Sequence, residues 1–89
     1  MNINELKKIF HEKLVELNSL HEEKKINDET FKTLWVEIDA VLGNNSTAVI
    51  LEHLYWYLRK LKALYDAKTI NDEVLDKLMI SRETLEKVL

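Results

Sequence analysis

The sequence predicts an all-α protein, an antiparallel bundle of four helices with a short fifth helix as an open alternative at the carboxyl end. The 89 residues include no proline and one glycine, while 46% are hydrophobic and 33% charged, a composition typical of helices joined by short turns. The segment LHEEKKINDETFKTL, residues 20–34, is repeated imperfectly as LYDAKTINDEVLDKL in residues 64–78. This repeat predicts one domain made of two similar helical hairpins, residues 4–42 and 46–89.

The repeated string marks two helix starts. Asn27 and Asn71 are suitable N-cap residues, because a short side-chain oxygen accepts from an unpaired first-turn amide. The acidic residues that follow each asparagine lie where the helix dipole favours negative charge. In each copy an isoleucine before the cap stands five residues from an apolar residue after it, which is the hydrophobic-staple spacing.

The first hairpin begins with a predicted helix from about Asn4 to Lys24. Its apolar residues trace one stripe at three- and four-residue steps, and they are Ile3, Leu6, Ile9, Phe10, Leu14, Leu17 and Leu20. Val15 lies outside the stripe, and we expect it to be exposed. A second helix should run from Asn27 to about Leu42 and bury Phe31, Leu34, Trp35, Ile38, Val41 and Leu42. Gly43 is predicted to end it in a left-handed conformation.

The third predicted helix, from about Ser46 to Ala67, is apolar on two sides. Its main arc covers about half of the circumference at 100° per residue and contains Ile50, Leu51, Leu54, Tyr55, Tyr57, Leu58, Leu61, Leu64 and Tyr65. A second line at seven-residue spacing holds Val49, Trp56 and Ala63 on the other side. Three explanations remain open for Trp56: it packs at the edge of the monomer's core, a chain terminus covers it, or it binds a partner.

The fourth helix should open at Asn71 and carry Val74, Leu75, Leu78 and Met79. A further start signal follows, because Ile80 and Leu85 bracket a cap residue, Ser81. Two alternatives therefore stay open: the fourth helix continues, or it breaks near Met79 and residues 82–89 form a short fifth helix.

Composition and spacing indicate no catalytic site. There is no cysteine and only one glycine, so thiolate metal sites and glycine-rich phosphate loops are excluded. His11, His21 and His53 do not form a zinc-binding pattern, and we expect no enzyme activity, cofactor or metal. No apolar stretch is long enough to span a bilayer and no signal-peptide core is present, which predicts a cytoplasmic protein. The net charge of −3 argues against a dominant nucleic-acid footprint.

Residues 71–89, NDEVLDKLMISRETLEKVL, resemble the helix-turn-helix of the cyclic-AMP receptor family of transcription regulators. The resemblance is closest at Ser81-Arg82-Glu83-Thr84, and apolar residues occupy the positions that lock the two helices together, namely Val74, Leu78, Ile80, Leu85 and Val88. It implies that Arg82, Glu83 and Lys87 face DNA in the major groove. Met79 stands where the motif has glycine, and bulky Leu75 where it has a small residue.

The segments LNSLHEEKKINDETFKTL and LKALYDAKTINDEVLDKL are similar to short bacterial and phage helical hairpins of the SHOCT type. That resemblance implies protein association rather than catalysis. The sequence thus predicts a small protein-binding module, either an oligomerisation element or a regulator or inhibitor of a larger bacterial or phage protein. Besides Val49, Trp56 and Ala63, the expected interface residues are Trp35, Tyr55 and Tyr57, since aromatic side chains supply much of the energy of interfaces. A DNA-binding regulator that uses residues 71–89 is the alternative.

Overall fold

Five α-helices and no strand make up the computed structural model, which describes residues 1–89. The helices are α1 (Ile3–Glu22), α2 (Asp28–Leu42), α3 (Thr47–Asp66), α4 (Asp72–Leu78) and α5 (Arg82–Val88). Each begins after a residue whose side-chain oxygen accepts from a first-turn amide, and these residues are Asn2, Asn27, Ser46, Asn71 and Ser81. Such caps pair amides that have no partner within the helix. The prediction of the all-α class is confirmed, and of the two alternatives for the carboxyl end the structure has the break near Met79 and the short fifth helix.

The chain leaves α1 and α3 through the same backbone turn. Lys24 and Lys68 adopt left-handed conformations, with φ of 59° and 62°. In both turns the amide of the lysine donates to the carbonyl three residues earlier, and the next amide donates to the carbonyl five residues earlier. This is the Schellman pattern, in which glycine usually holds the left-handed position.

The prediction of a left-handed Gly43 is wrong. Its φ is −88°, so its backbone is right-handed. The helix ends here for a different reason, because the Asn44 side-chain amide donates to the Ala40 carbonyl at 2.7 Å and occupies one of the last helical acceptors. Terminal carbonyls satisfied in this way do not require a left-handed residue.

One hydrophobic core joins all five helices. Helix α1 packs against α2, α4 and α5, while α3 packs against α2 and α4. The ring of Phe10 on α1 meets the ring of Tyr57 on α3 edge to face, with centroids 5.2 Å apart. The predicted stripe of α1 is confirmed, since its members are buried or packed against the core. Val15 is 64% exposed, as expected.

Side chains from two other helices hold the end of α4. The Tyr57 hydroxyl donates to the Leu78 carbonyl at 2.6 Å in the core, and the Lys13 ammonium donates to the Lys77 carbonyl at 3.2 Å. These carbonyls belong to the last turn of α4, so no backbone amide of the helix is available to donate to them. The chain can therefore break after Leu78, near the predicted position, without leaving them unpaired.

Four large side chains of the predicted apolar arcs are exposed: Trp35 on α2, which was predicted to be buried, and Leu51, Tyr55 and Tyr65 on α3. Trp35, Leu51 and Tyr55 lie at the edges of their apolar arcs, and Tyr65 lies in the last turn of α3. The neighbouring helices cover only the centre of each arc, because a helix in this small domain contacts few others. None of the five helices has the length and the apolar composition needed to cross a membrane.

Candidate protein-interaction surface

The half of α3 that points away from the core forms an exposed surface. Ile50, Leu54, Tyr57 and Leu61 face inward and are buried. At 100° per residue, the opposite half holds Lys62 and Asp66, which pair with each other, and six other exposed residues: Ala48, Glu52, Tyr55, Trp56, Arg59 and Ala63. We call these six residues the outer face of α3. Two of them are large aromatic residues in the middle of the helix.

The two aromatic side chains contact each other. The Tyr55 and Trp56 rings meet edge to face, with centroids 5.4 Å apart and planes inclined at 75°. Arg59 packs over Tyr55, with its guanidinium carbon 5.6 Å from the ring centroid, and its Nη1 donates to the Tyr55 hydroxyl at 3.0 Å. Tyr55 is 51% and Trp56 43% exposed. These contacts restrict the rotamers of both rings, so binding would cost less side-chain entropy than it would for free side chains.

A buried carboxylate joins α2 to α3 beside Trp56. Glu37 is 6% exposed. Its Oε1 accepts from the Lys60 ammonium at 2.7 Å, and its Oε2 accepts from His53 Nδ1 at 2.6 Å. His53 and Lys60 precede and follow Trp56 by about one helical turn. The carboxylate therefore anchors the stretch of α3 that carries the aromatic pair.

The pKa of Glu37 reflects two opposing effects. Burial of the carboxyl group acts to raise its pKa, but donation from Lys60 and His53 outweighs burial and holds the pKa below its ordinary value of 4.5. Both carboxylate oxygens have partners, so no polar atom is left unpaired by the burial of this charge. The signal that would have found this residue is its position, because Glu37 lies in register with buried Leu34 and Val41 on α2.

Of the remaining interface candidates, Ala63 alone belongs to the outer face. Tyr57 is fully buried and belongs to the core. Val49 is half-buried and Ala63 is exposed, so the second apolar line is not covered as a whole. Trp35 is 40% exposed, but it precedes Glu37 by two residues and lies about 200° around α2 from it. Since Glu37 points to α3, Trp35 points away from α3 and away from Trp56.

Neither chain terminus covers Trp56. The Asn2 amide donates to the Val88 carbonyl at 2.8 Å, which brings the amino end against the last turn of α5. Of the three explanations for Trp56, coverage by a terminus is therefore not supported by the structure.

A groove of about 540 Å³ runs between α3 and the α4–α5 pair on the other side of the helix. Its apolar lining consists of Leu58, Tyr65, Leu75, Met79, Ile80 and Leu85, with Lys62 and Arg82 at its edge. The groove is open to solvent and shallow. It offers apolar surface but no enclosed site.

The residues implied by the helix-turn-helix resemblance lie on α5. Arg82, Glu83 and Lys87 are all exposed, and Arg82 Nε pairs with Glu86 Oε1 at 3.2 Å. The apolar positions of that motif face the core, with Val74, Leu78, Ile80 and Val88 buried. The same burial is required for packing α4 and α5 onto α1, so it does not by itself indicate DNA binding.

The histidines are not grouped. His11 is exposed, His21 stacks on Phe31 and contacts Asp28, and His53 belongs to the Glu37 cluster. No three histidine or acidic side chains are placed to hold a metal ion together.

No protein-family model, curated protein or solved structure matches this chain. The assignment of function therefore depends on the surface geometry.

Proposed function

We propose that this chain is a small protein-binding module that binds through the outer face of α3, with Trp56 and Tyr55 as anchors. It would act as an oligomerisation element or as a regulator of a larger protein. The observation that carries the proposal is the ordered, half-exposed pair of rings at the centre of α3. Side chains of this kind bury about 150–250 Å² each and dominate interface energies.

The arrangement around the rings supports an anchoring role. Charged and small residues surround the pair on the outer face, and the Glu37 cluster secures the helix beneath it. An aromatic centre with a polar rim is the usual organisation of a protein interface. Burial of Trp56 inside the monomer is the competing explanation, and its 43% exposure argues against it.

The proposal is tested by placing a photo-crosslinking amino acid at position 56 and, as a control, at position 15. Val15 on α1 is more exposed than Trp56 but lies outside the outer face. We expect covalent adducts from position 56 and none from position 15. Trp56→Glu should abolish association while the helical circular dichroism stays unchanged, whereas Val15→Glu should change neither. Equal labelling from both positions, no adduct from either, or unfolding of Trp56→Glu would contradict the proposal.

We also infer that the bundle consists of two similar antiparallel hairpins. Both hairpins use a lysine in the left-handed position followed three residues later by an asparagine N-cap, and connections this short favour antiparallel neighbours. Spin labels at Glu12 and Asp39 test the first hairpin, because an antiparallel pair brings these exposed sites to the same level. Labels at Glu12 and Glu29 should give the longer distance. The opposite order would contradict the antiparallel arrangement.

DNA binding by α4 and α5 is the second candidate function. It rests on the exposure of Arg82 at the start of α5, where the resemblance to the helix-turn-helix places a DNA contact. The segment nevertheless carries five acidic against three basic residues, which opposes phosphate contact. A gel shift at low salt with specific and random duplexes tests this function. Retardation that Arg82→Ala weakens would support DNA binding over protein binding.

A further inference from the structure

The outer face of α3 has an internal symmetry. Counted from the midpoint between Tyr55 and Trp56, Glu52 and Arg59 lie at equal distances in opposite directions along the helix. Ala48 and Ala63 also lie at equal distances, farther out. The face therefore places an aromatic residue on each side of its centre, then one acidic and one basic residue, then one small residue on each side.

We propose that the outer face of α3 binds the same face of a second copy of this chain, with the two α3 helices antiparallel and related by a two-fold axis between Tyr55 and Trp56. The inference deepens the proposed function and rests on it, since it names the partner of the same surface. A two-fold interface requires that when residue i contacts residue j of the partner, j also contacts i. An axis at the centre of the outer face therefore sets the acidic residue against the basic one and small residues against each other.

Antiparallel pairing brings opposite charges together twice. At a rise of about 1.5 Å per residue, Glu52 and Arg59 each lie about 5 Å along the helix from the axis. Glu52 of one copy then lies opposite Arg59 of the other, and the reverse pair forms by symmetry. A parallel arrangement would instead set like charges against each other, which is unfavourable. The charge order thus selects the antiparallel arrangement.

Both charged groups lack an ionic partner within the chain. Glu52 and Arg59 take part in none of the intramolecular ion pairs, and Arg59 donates only to the Tyr55 hydroxyl. Other charged residues of α3, such as Lys60 and Lys62, are already paired. The two unpaired charges are the ones placed to meet across the axis.

The small residues permit close approach. Ala48 and Ala63 lie about 11 Å along the helix on either side of the axis, where larger side chains would hold two helices apart. Around the axis itself, the two Tyr55–Trp56 pairs come together and remove their exposed rings from water. A single 20-residue helix offers an interface at the small end of the specific range. We therefore expect a dimer that dissociates on dilution.

The experiment uses charge reversal on the full chain, followed by sedimentation equilibrium over a range of concentrations. The wild type should approach twice its 10.6 kDa mass as concentration rises. Glu52→Arg and Arg59→Glu each turn two attractive pairs into two repulsive ones, and each should weaken self-association about tenfold or more. An equal mixture of the two variants should restore the dimer, because all the pairs between unlike copies are then attractive. The double variant should also dimerise.

Charge-matched controls are Glu12→Arg and Lys8→Glu, which change exposed residues of α1 that form no ion pair. They should leave the dimer unchanged. All six residues of the outer face are exposed, so the variants should keep their helical circular dichroism. If a charge variant lost that signal, Ala63→Trp would test the same contact by keeping the helices apart.

The outcomes separate this inference from the proposed function. A monomeric wild type that still forms adducts of another mass from position 56 would overturn self-association and keep the binding surface. A dimer that neither charge variant weakens, or a mixture that fails to reassociate, would also overturn the inference. A monomer without any adduct would overturn both.

Discussion

Lys24 and Lys68 stand 44 positions apart and share one backbone conformation, with φ of 59° and 62°. Each is the residue that turns the chain out of a 20-residue helix, and each turn has the same two hydrogen bonds. A left-handed conformation costs a residue with a Cβ about 1–2 kcal/mol relative to glycine. The two turns therefore hold strain at positions where the sequence repeats.

We expect glycine at either lysine to relieve this strain. Lys68→Gly should be more stable than Lys68→Ala by about 1 kcal/mol in urea unfolding, since both variants lose the same charge and only alanine keeps the Cβ. The same order should hold at Lys24. At Lys8, in the interior of α1, the order should reverse, because glycine costs about 1 kcal/mol relative to alanine there. An alanine variant as stable as the glycine variant at position 68 would mean that the turn is unstrained.

The asparagine caps offer a second test of the repeated turn. The Asn27 and Asn71 side-chain oxygens accept from the amides of Thr30 and Val74, at 2.7 and 3.0 Å. Asn27→Ala and Asn71→Ala should each lower the free energy of unfolding by about 1 kcal/mol. Serine at the same positions should restore most of the loss. Thermal melts that do not distinguish alanine from asparagine would place the start of the helix elsewhere.

Tyr57 should contribute to stability through its hydroxyl as well as its ring. Tyr57→Phe keeps the contact with Phe10 but leaves the buried Leu78 carbonyl without its donor, a loss of about 1–3 kcal/mol. Tyr55→Phe removes a hydroxyl that is bonded to Arg59 at the surface, and it should change stability by no more than about 0.5 kcal/mol. Burial also raises the pKa of the Tyr57 phenol. Similar urea midpoints for the two variants would show that the Tyr57–Leu78 bond is not formed in solution.

The Glu37 cluster should make stability depend on pH on the acidic side. Because its pKa is lowered in the folded protein, the contribution of the carboxylate is fully present above its ordinary value of 4.5 and is lost as pH falls through the folded value. Glu37→Gln should lower the free energy of unfolding by about 1–3 kcal/mol at pH 7, where the buried charge-assisted bonds are lost. At low pH the variant and the wild type should converge.

Other carboxylates act in the same direction, so the comparison must use the difference between variant and wild type. Donation from His21 lowers the pKa of Asp28, and donation from Lys25 lowers the pKa of Glu73. Both groups remain in the variant and cancel in the difference. Glu12→Gln, at an exposed site without an ion pair, supplies the control and should follow the wild type at every pH. If the free energies of unfolding of Glu37→Gln and the wild type differed by the same amount from pH 7 to pH 3, the Glu37 carboxylate would not be the source of the pH dependence.

Local chemistry in the sequence determined the helices and their ends. The apolar spacing, the asparagine and serine caps and the second start signal at Ser81 act within a few residues of one another, so they can be identified without knowledge of the rest of the chain. They predicted four helices, and a short fifth as an alternative, with end residues within one or two positions of those in the structure. The left-handed lysines escaped prediction because lysine has no preference for that conformation; the isoleucine two residues after each of them is buried in the core.

Tertiary structure alone decided which apolar residues the core takes up. Periodicity gives the direction of a side chain around its helix, but the coverage of that direction depends on how many helices pack beside it and at what distance. The consecutive residues Tyr55, Trp56 and Tyr57 illustrate this, since only Tyr57 is buried. Glu37 is the converse case. Its position on the inner stripe of α2 would favour an apolar residue, and only the approach of His53 and Lys60 from α3 makes a carboxylate stable there.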